Sequence, residues 1–235
     1  NIYKIKKNDN FVKFKNKYEF YLEMNKIYND VVIDMDPSIF LNSKNEFFPL
    51  AGIADILTID CPEQSMWKSD RYGFNNDDEV WNKKFVDYVI IGDSIAQGEC
   101  VNRSQNIASI IKVISKKNVI NLSYDGNGPL LELATLKEYL IPNVKNILWL
   151  YNESNDIYNL NQEIKNKTLI KYIKSPFFTQ KLKFNQDKIN ELVNSKFKKD
   201  LEDYLNKSKK NNTNYRINLI KFLKIYQTRN FLNLF

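Results

Sequence analysis

Between residues 85 and 151, three short and almost wholly apolar runs alternate with two stretches of helical periodicity, and this alternation constrains the fold more than anything else in the chain. The runs are Val-Asp-Tyr-Val-Ile-Ile (86–91), Val-Ile-Asn-Leu (119–122) and Ile-Leu-Trp-Leu-Tyr (147–151). Runs so short and so apolar suit strands buried on both faces. Strand–helix–strand order then predicts right-handed βαβ units and a parallel sheet covered by helices. The first intervening helix is expected over 104–114, with Ser104 as its cap. The second begins at Pro129, whose fixed φ and missing N–H suit a first helical position, and runs to Leu140.

Around this unit the pattern is less regular. Residues 1–36 form a charged, aromatic lead-in with Phe11, Phe14, Tyr18, Phe20, Tyr21 and Met24 at loosely helical spacing. Residues 37–85 carry turn signals at Asp36-Pro37, Cys61-Pro62 and Tyr72-Gly73 around short apolar pieces such as 53–59, which predicts short strands and loops. The expected organisation is an N-terminal β/irregular appendage over 1–84 and an α/β domain over 85–235. After Asp156 the chain reads as mostly helical, with a charge-rich helix at 198–210 and apolar positions Ile217, Ile220, Phe222, Leu223, Ile225 and Tyr226 further on. A three-stranded parallel sheet leaves a bare apolar edge that complete domains pair or cover, so more of the sheet is expected beyond residue 235.

Composition narrows the function classes. With 235 residues, 43% hydrophobic and 27% charged, the chain is of globular type. Its net charge of +7 follows a general Lys and Asn bias. Neither a nucleic-acid-binding motif nor an aromatic platform accompanies that charge, so no nucleic-acid partner is expected. Two cysteines, Cys61 and Cys100, exclude a disulfide framework and a four-ligand zinc site, and leave open whether they pair. No apolar stretch is long enough to cross a bilayer. A membrane anchor ahead of Asn1 stays open.

In doubly wound sheets, ligands bind beyond the carboxyl ends of the strands. Three loops hold that position: Gly92-Asp93-Ser94, Asp125-Gly126-Asn127, and Glu153-Ser154-Asn155-Asp156. Ester cleavage by serine needs a hydroxyl, a base, and donors aimed at the developing oxyanion. Ser94 supplies the hydroxyl; the N–H groups of Ser94 and Gly126 and the Asn155 amide supply donors. Asp93 and Asn127 are expected beside the substrate. Blander roles compete. Ser94 could cap the next helix, Gly126 could be a turn residue, and Asn155 and Asp156 could be caps. Asp93 could hold the turn, and Asp70, Arg71 and Asn75 read as a structural turn.

Taken in order, Gly92-Asp93-Ser94, Gly126 and Asn155-Asp156 resemble the first three sequence blocks of the SGNH, or GDSL-type, hydrolases. The resemblance extends to a bacterial subgroup through Ser-Asp-Arg-Tyr-Gly-Phe-Asn-Asn (69–76), Asn-Gly-Pro-Leu (127–130) and Leu-Lys-Glu-Tyr (136–139), and covers roughly residues 50–165. It implies a three-layer, flavodoxin-like parallel sheet, incomplete here. Ser94 becomes nucleophile and oxyanion donor, with Gly126 and Asn155 completing the hole. It further implies acylated carbohydrate or another envelope ester as substrate and a bacterial cell-envelope location; with no histidine and no clustered carboxylate–cysteine ligand set in the sequence, no cofactor or metal is expected. Two positions depart from the family. Glu153 stands where the third block usually has glycine. The Asp-x-x-His block is missing, and the chain contains no histidine.

The expected function is therefore a serine ester hydrolase working through an acyl-serine intermediate, with an O-acyltransferase or a non-catalytic carbohydrate-binding protein of the same fold as alternatives. Lacking the family's histidine, the 235-residue chain is expected to turn esters over very slowly. An α/β-hydrolase elbow does not fit, because the serine follows the first clear strand of the parallel sheet.

Overall fold

The structure, a computed structural model, describes residues 14–231 apart from Asn45, Glu63 and Gln64, with side chains as far as Lys210. Phe11, and the side chains of the apolar positions after residue 215, lie outside the described residues. The chain divides into two units, Asn1–Ser195 and Lys196–Phe235. It is a mixed α/β protein with two small sheets, both in the first unit.

The parallel sheet is built on β4 (Val86–Ile91), with β5 (Val119–Asn121) on one side and β6 (Val144–Trp149) on the other. Register pairs Ile90 with Asn121 and Ile91 with Trp149, so the three strands end side by side. Val89, Ile90 and Ile91 are buried, each contributing on the order of 1.5–3 kcal/mol. Burial on both faces holds for β4 and β5 but not for β6, where Ile147 and Trp149 are each 44% exposed. β6 also begins earlier than its apolar run, pairing through Val144 and Asn146. Ladder hydrogen bonds come from the backbone and need no apolar side chain there.

Helices fill the crossovers: α2 (Ser94–Gln97) and α3 (Ile107–Ser115) between β4 and β5, and α4 (Pro129–Tyr139) between β5 and β6. Ser104 is not the cap of α3. It lies inside a 3₁₀ turn, Arg103–Gln105, and the cap is Asn106, whose side-chain oxygen accepts the Ser109 N–H at 2.8 Å. Asn106 is extended, as a cap must be, whereas Ser104 already belongs to a turn. Pro129 does open α4.

Upstream, α1 (Lys17–Met24) is capped by Asn16 and buries Phe20, Tyr21 and Met24. A second sheet follows, with β1 (Val31–Ile33) parallel and β3 (Ser65–Lys68) antiparallel to the central β2 (Leu57–Cys61). The 69–76 segment ties the sheets together. The buried Asp70 carboxylate accepts from the Tyr72 and Phe74 N–H groups, Asn76 Nδ2 and Trp81 Nε1. The Asn76 amide exchanges two hydrogen bonds with the Asn121 backbone, at 2.9 and 2.8 Å, closing the outer edge of β5 as a neighbouring strand would. Helices α5 (Asp156–Glu163), α6 (Lys167–Lys174) and α7 (Gln186–Phe231) complete the chain. The Lys196–Asp200 ion pair lies in the second unit.

Candidate active site

β4 stops at Ile91, and the chain turns sharply through Gly92. A side chain there would meet Ala96 Cβ at 2.7 Å and the Leu150 carbonyl at 3.0 Å, so only glycine fits. Asp93, not Ser94, caps the short helix that follows: its Oδ1 accepts the Ile95 N–H at 3.0 Å. Ser94 becomes the first helical residue, half-buried, with its hydroxyl released from capping. The cap reading of Ser94 is thereby corrected, and the turn-holding reading of Asp93 stands. Among the described residues, no hydrogen bond engages the backbone N–H of Ser94 or of Gly126.

The three loops meet at Asp93 and Gln97. Asp93 Oδ2 accepts from Asn152 Nδ2 at 2.9 Å and from Asn155 Nδ2 at 3.3 Å, which draws the loop after β6 against the serine turn. Gln97, buried on α2, accepts the Asp125 N–H at 2.6 Å and donates to Asp34 Oδ2 at 2.8 Å. That single amide fastens the loop after β5 to both α2 and the end of β1. Gly126 has φ +70°, and a Cβ on it would press to 2.8 Å from Ser38 Oγ, so this turn residue needs glycine on two counts.

Asn155 stands at the cap position of α5 without capping it through its side chain, and its Oδ1 is buried with no partner. Asp156 is the first residue of α5, and its carboxylate accepts the Asn152 N–H at 2.6 Å, so it shapes the loop instead of capping. Asp93 and Asn127, expected beside the substrate, are 2% and 0% exposed. Neither presents its side chain at a surface. The Asp93 carboxylate is already shared among Ile95, Asn152 and Asn155, so it serves as a positioning group. Asp70, Arg71 and Asn75 are committed to the 69–76 tie, with Arg71 paired to Asp78 and Asn75 accepting from Arg103.

A ring of acids surrounds this corner. Burial raises Asp34 to about 6, against hydrogen bonds from Tyr124 and Gln97 that lower it. Burial and the nearby Asp125 push Asp36 to about 8. Burial and the charge on Asp34 raise Asp60 to about 8. Behind the site, Glu132 is raised to about 8 by burial, although Trp149 Nε1 donates to it. On the turn after α2, partial burial and Asp125 raise the Glu99 carboxyl above the usual range, while the Ser94 hydroxyl lowers it.

Sequence reasoning misses Gln97, Asp34 and Glu99. The available signal is Gln97 itself, a polar residue on the inward face of a helix that begins at Ser94. Asp34 and Glu99 leave no local trace. Cys61 and Cys100 form a disulfide that joins the end of β2 to the turn after α2. Elsewhere, a cavity of about 520 Å³ lies at the opposite ends of the strands, lined by Lys68, Asp77, Arg103, Lys112, Asn118 and Val119.

No family model, curated protein or solved structure matches this chain. Among the described residues, no helix is long and apolar enough to cross a membrane.

Proposed function

We propose that this chain is a serine ester hydrolase of SGNH type, with a flavodoxin-like sheet and an envelope carbohydrate ester as substrate. The observation that carries the reading is the division of labour at the β4 turn. Asp93 takes the capping role, which leaves the Ser94 hydroxyl free of it, while the same carboxylate accepts from the Asn155 amide at 3.3 Å. A strand order of β5-β4-β6 also agrees with a doubly wound sheet.

In this reading the Ser94 oxygen attacks the ester carbonyl. The unengaged N–H groups of Ser94 and Gly126, with the Asn155 amide, receive the oxyanion. Expulsion of the alcohol leaves an acyl-serine, which water hydrolyses. An acceptor hydroxyl in place of water would make the same site an O-acyltransferase.

Hydrolysis of p-nitrophenyl acetate tests this reading. Ser94→Ala should reduce turnover to the background rate, and Asn155→Ala should slow it on the order of a hundredfold. Turnover unchanged in Ser94→Ala would refute the assignment.

A further inference from the structure

The loop after β5 makes one tight turn at the serine corner, and the direction of a single peptide in it decides where the Gly126 N–H points. The Asn127 N–H donates to the Tyr124 carbonyl at 3.3 Å, which closes a four-residue turn with Asp125 and Gly126 in the middle. The Tyr124 N–H donates to the Gly92 carbonyl at 3.3 Å, so this turn starts beside the one that carries Ser94. The central peptide of such a turn has two orientations, about 180° apart, that differ in the sign of φ at the third residue. Gly126 is that third residue, with φ +70°. Glycine tolerates both signs, so its own backbone does not decide between them.

Gln97 supplies the missing constraint. It is buried, and it is the last residue of α2, the helix that begins at Ser94. Its Oε1 accepts the Asp125 N–H at 2.6 Å, and its Nε2 donates to Asp34 Oδ2 at 2.8 Å. A backbone N–H can only donate and a carboxylate accepts, so the two partners together dictate which way round the amide lies. Asp34 is fixed in turn: its N–H donates to the Ile59 carbonyl at 2.7 Å, and its Oδ1 accepts from the Tyr124 hydroxyl. The Gln97 bond and the turn-closing bond hold the peptides on either side of the central one. With them they hold the plane in which the Gly126 N–H is presented.

We propose that Gln97 is the positioning residue of the oxyanion site, aiming the Gly126 N–H through its bond to the Asp125 N–H. The proposal rests on the reading of Ser94 as nucleophile and Gly126 as donor. Gln97 itself touches no reacting atom. Negative charge developing on a carbonyl oxygen at Ser94 meets a donor already in place, with no reorganisation of the loop. One short helix carries the serine at its start and, at its end, the amide that orients the partner loop.

The experiment combines one amide signal with turnover. Asp-Gly occurs once in the sequence, at 125–126, so carbonyl-labelled aspartate with nitrogen-labelled glycine gives one correlated NMR signal, that of Gly126. Asp34→Asn keeps the volume of the side chain but, with the Tyr124 hydroxyl still donating to its oxygen, turns an amide donor towards Gln97. The Gln97 amide must then reverse, which sets its NH2 against the Asp125 N–H. The Gly126 signal should shift or split. Ser94-dependent hydrolysis of p-nitrophenyl acetate should lose on the order of tenfold in kcat with KM little changed. Combining Asp34→Asn with Gln97→Glu exchanges amide and carboxylate, returns an acceptor to the Asp125 N–H, and should restore both signal and kcat. Gln97→Met, which removes both polar atoms, should resemble Asp34→Asn. An unchanged signal and kcat in Asp34→Asn and Gln97→Met would overturn the proposal and leave the nucleophile standing, as would a displaced signal with unchanged kcat. A double variant that melts like wild type yet stays as slow as Asp34→Asn would also overturn it. Hydrolysis indifferent to Ser94→Ala would overturn the proposal together with the reading beneath it.

Discussion

Asp34, Asp36, Asp60, Asp70 and Glu132 share one physical condition: each is a carboxyl whose burial makes its charged form unfavourable. A group raised in the fold still holds its proton at a pH where the unfolded chain has released it. The stability it contributes is complete below the ordinary carboxylate range, near 4, and declines as pH rises through the folded value. Asp34 and Asp70, at about 6, and Asp36, Asp60 and Glu132, at about 8, therefore set a window from about pH 4 to about pH 8. Scanning calorimetry should find the melting temperature highest at the acid end of that window and falling towards pH 8. A melting temperature that climbs from pH 5 to pH 8 would contradict this account of the buried acids. None of these shifts is legible in sequence, because each depends on what a distant segment places over the carboxyl. The serine turn is legible, because Gly92, Asp93 and Ser94 act on their own few residues of backbone.

Helix α4 shows the same contrast at the next scale. Its start at Pro129 can be read directly, since the ring fixes φ wherever it occurs. Its cap cannot. Gly128 at the cap position has no side chain to offer, and the orphan donors are met instead by Glu163 at the end of α5. The buried Glu163 carboxylate accepts the N–H groups of Gly128 at 2.6 Å, Leu130 at 2.9 Å and Leu131 at 3.3 Å. A cap supplied from 35 residues away leaves no motif at the helix it serves. Glu163→Ala leaves three buried donors without an acceptor and should cost about 2–3 kcal/mol in urea unfolding. Glu163→Gln, which keeps one acceptor oxygen, should cost less. A loss under about 0.5 kcal/mol in Glu163→Ala would show that water or another group replaces the carboxylate. Ser104 illustrates the reverse error: serine is a good cap by type, but Asn106 is the residue at the extended position.

Across the first unit, two sheets meet around the serine corner, and the joints between them are polar. Asn76 bonds to the β5 backbone, Gln97 joins Asp34 to Asp125, and the disulfide links β2 to the turn after α2. The parallel unit is legible in sequence because β4 and β5 are almost wholly apolar. β6 departs from that pattern, with Ile147, Trp149 and nearby Tyr151 exposed along the sheet edge. The joints are not legible, since an asparagine or glutamine in a loop reads as a turn residue until its partner is known. With the Asp93 bonds to Asn152 and Asn155, the Gln97 joint draws the loops after β5 and β6 against the turn after β4, and the functional account depends on Ser94, Gly126 and Asn155 converging there. A crystal structure of the protein after reaction with a fluorophosphonate, which replaces the P–F bond by a bond from phosphorus to the serine oxygen, tests it most directly. The account predicts the adduct on Ser94, with its phosphonyl oxygen within about 3 Å of the Ser94 and Gly126 nitrogens and of Asn155 Nδ2. A phosphonyl oxygen turned to solvent, with Asn155 out of reach, would contradict it.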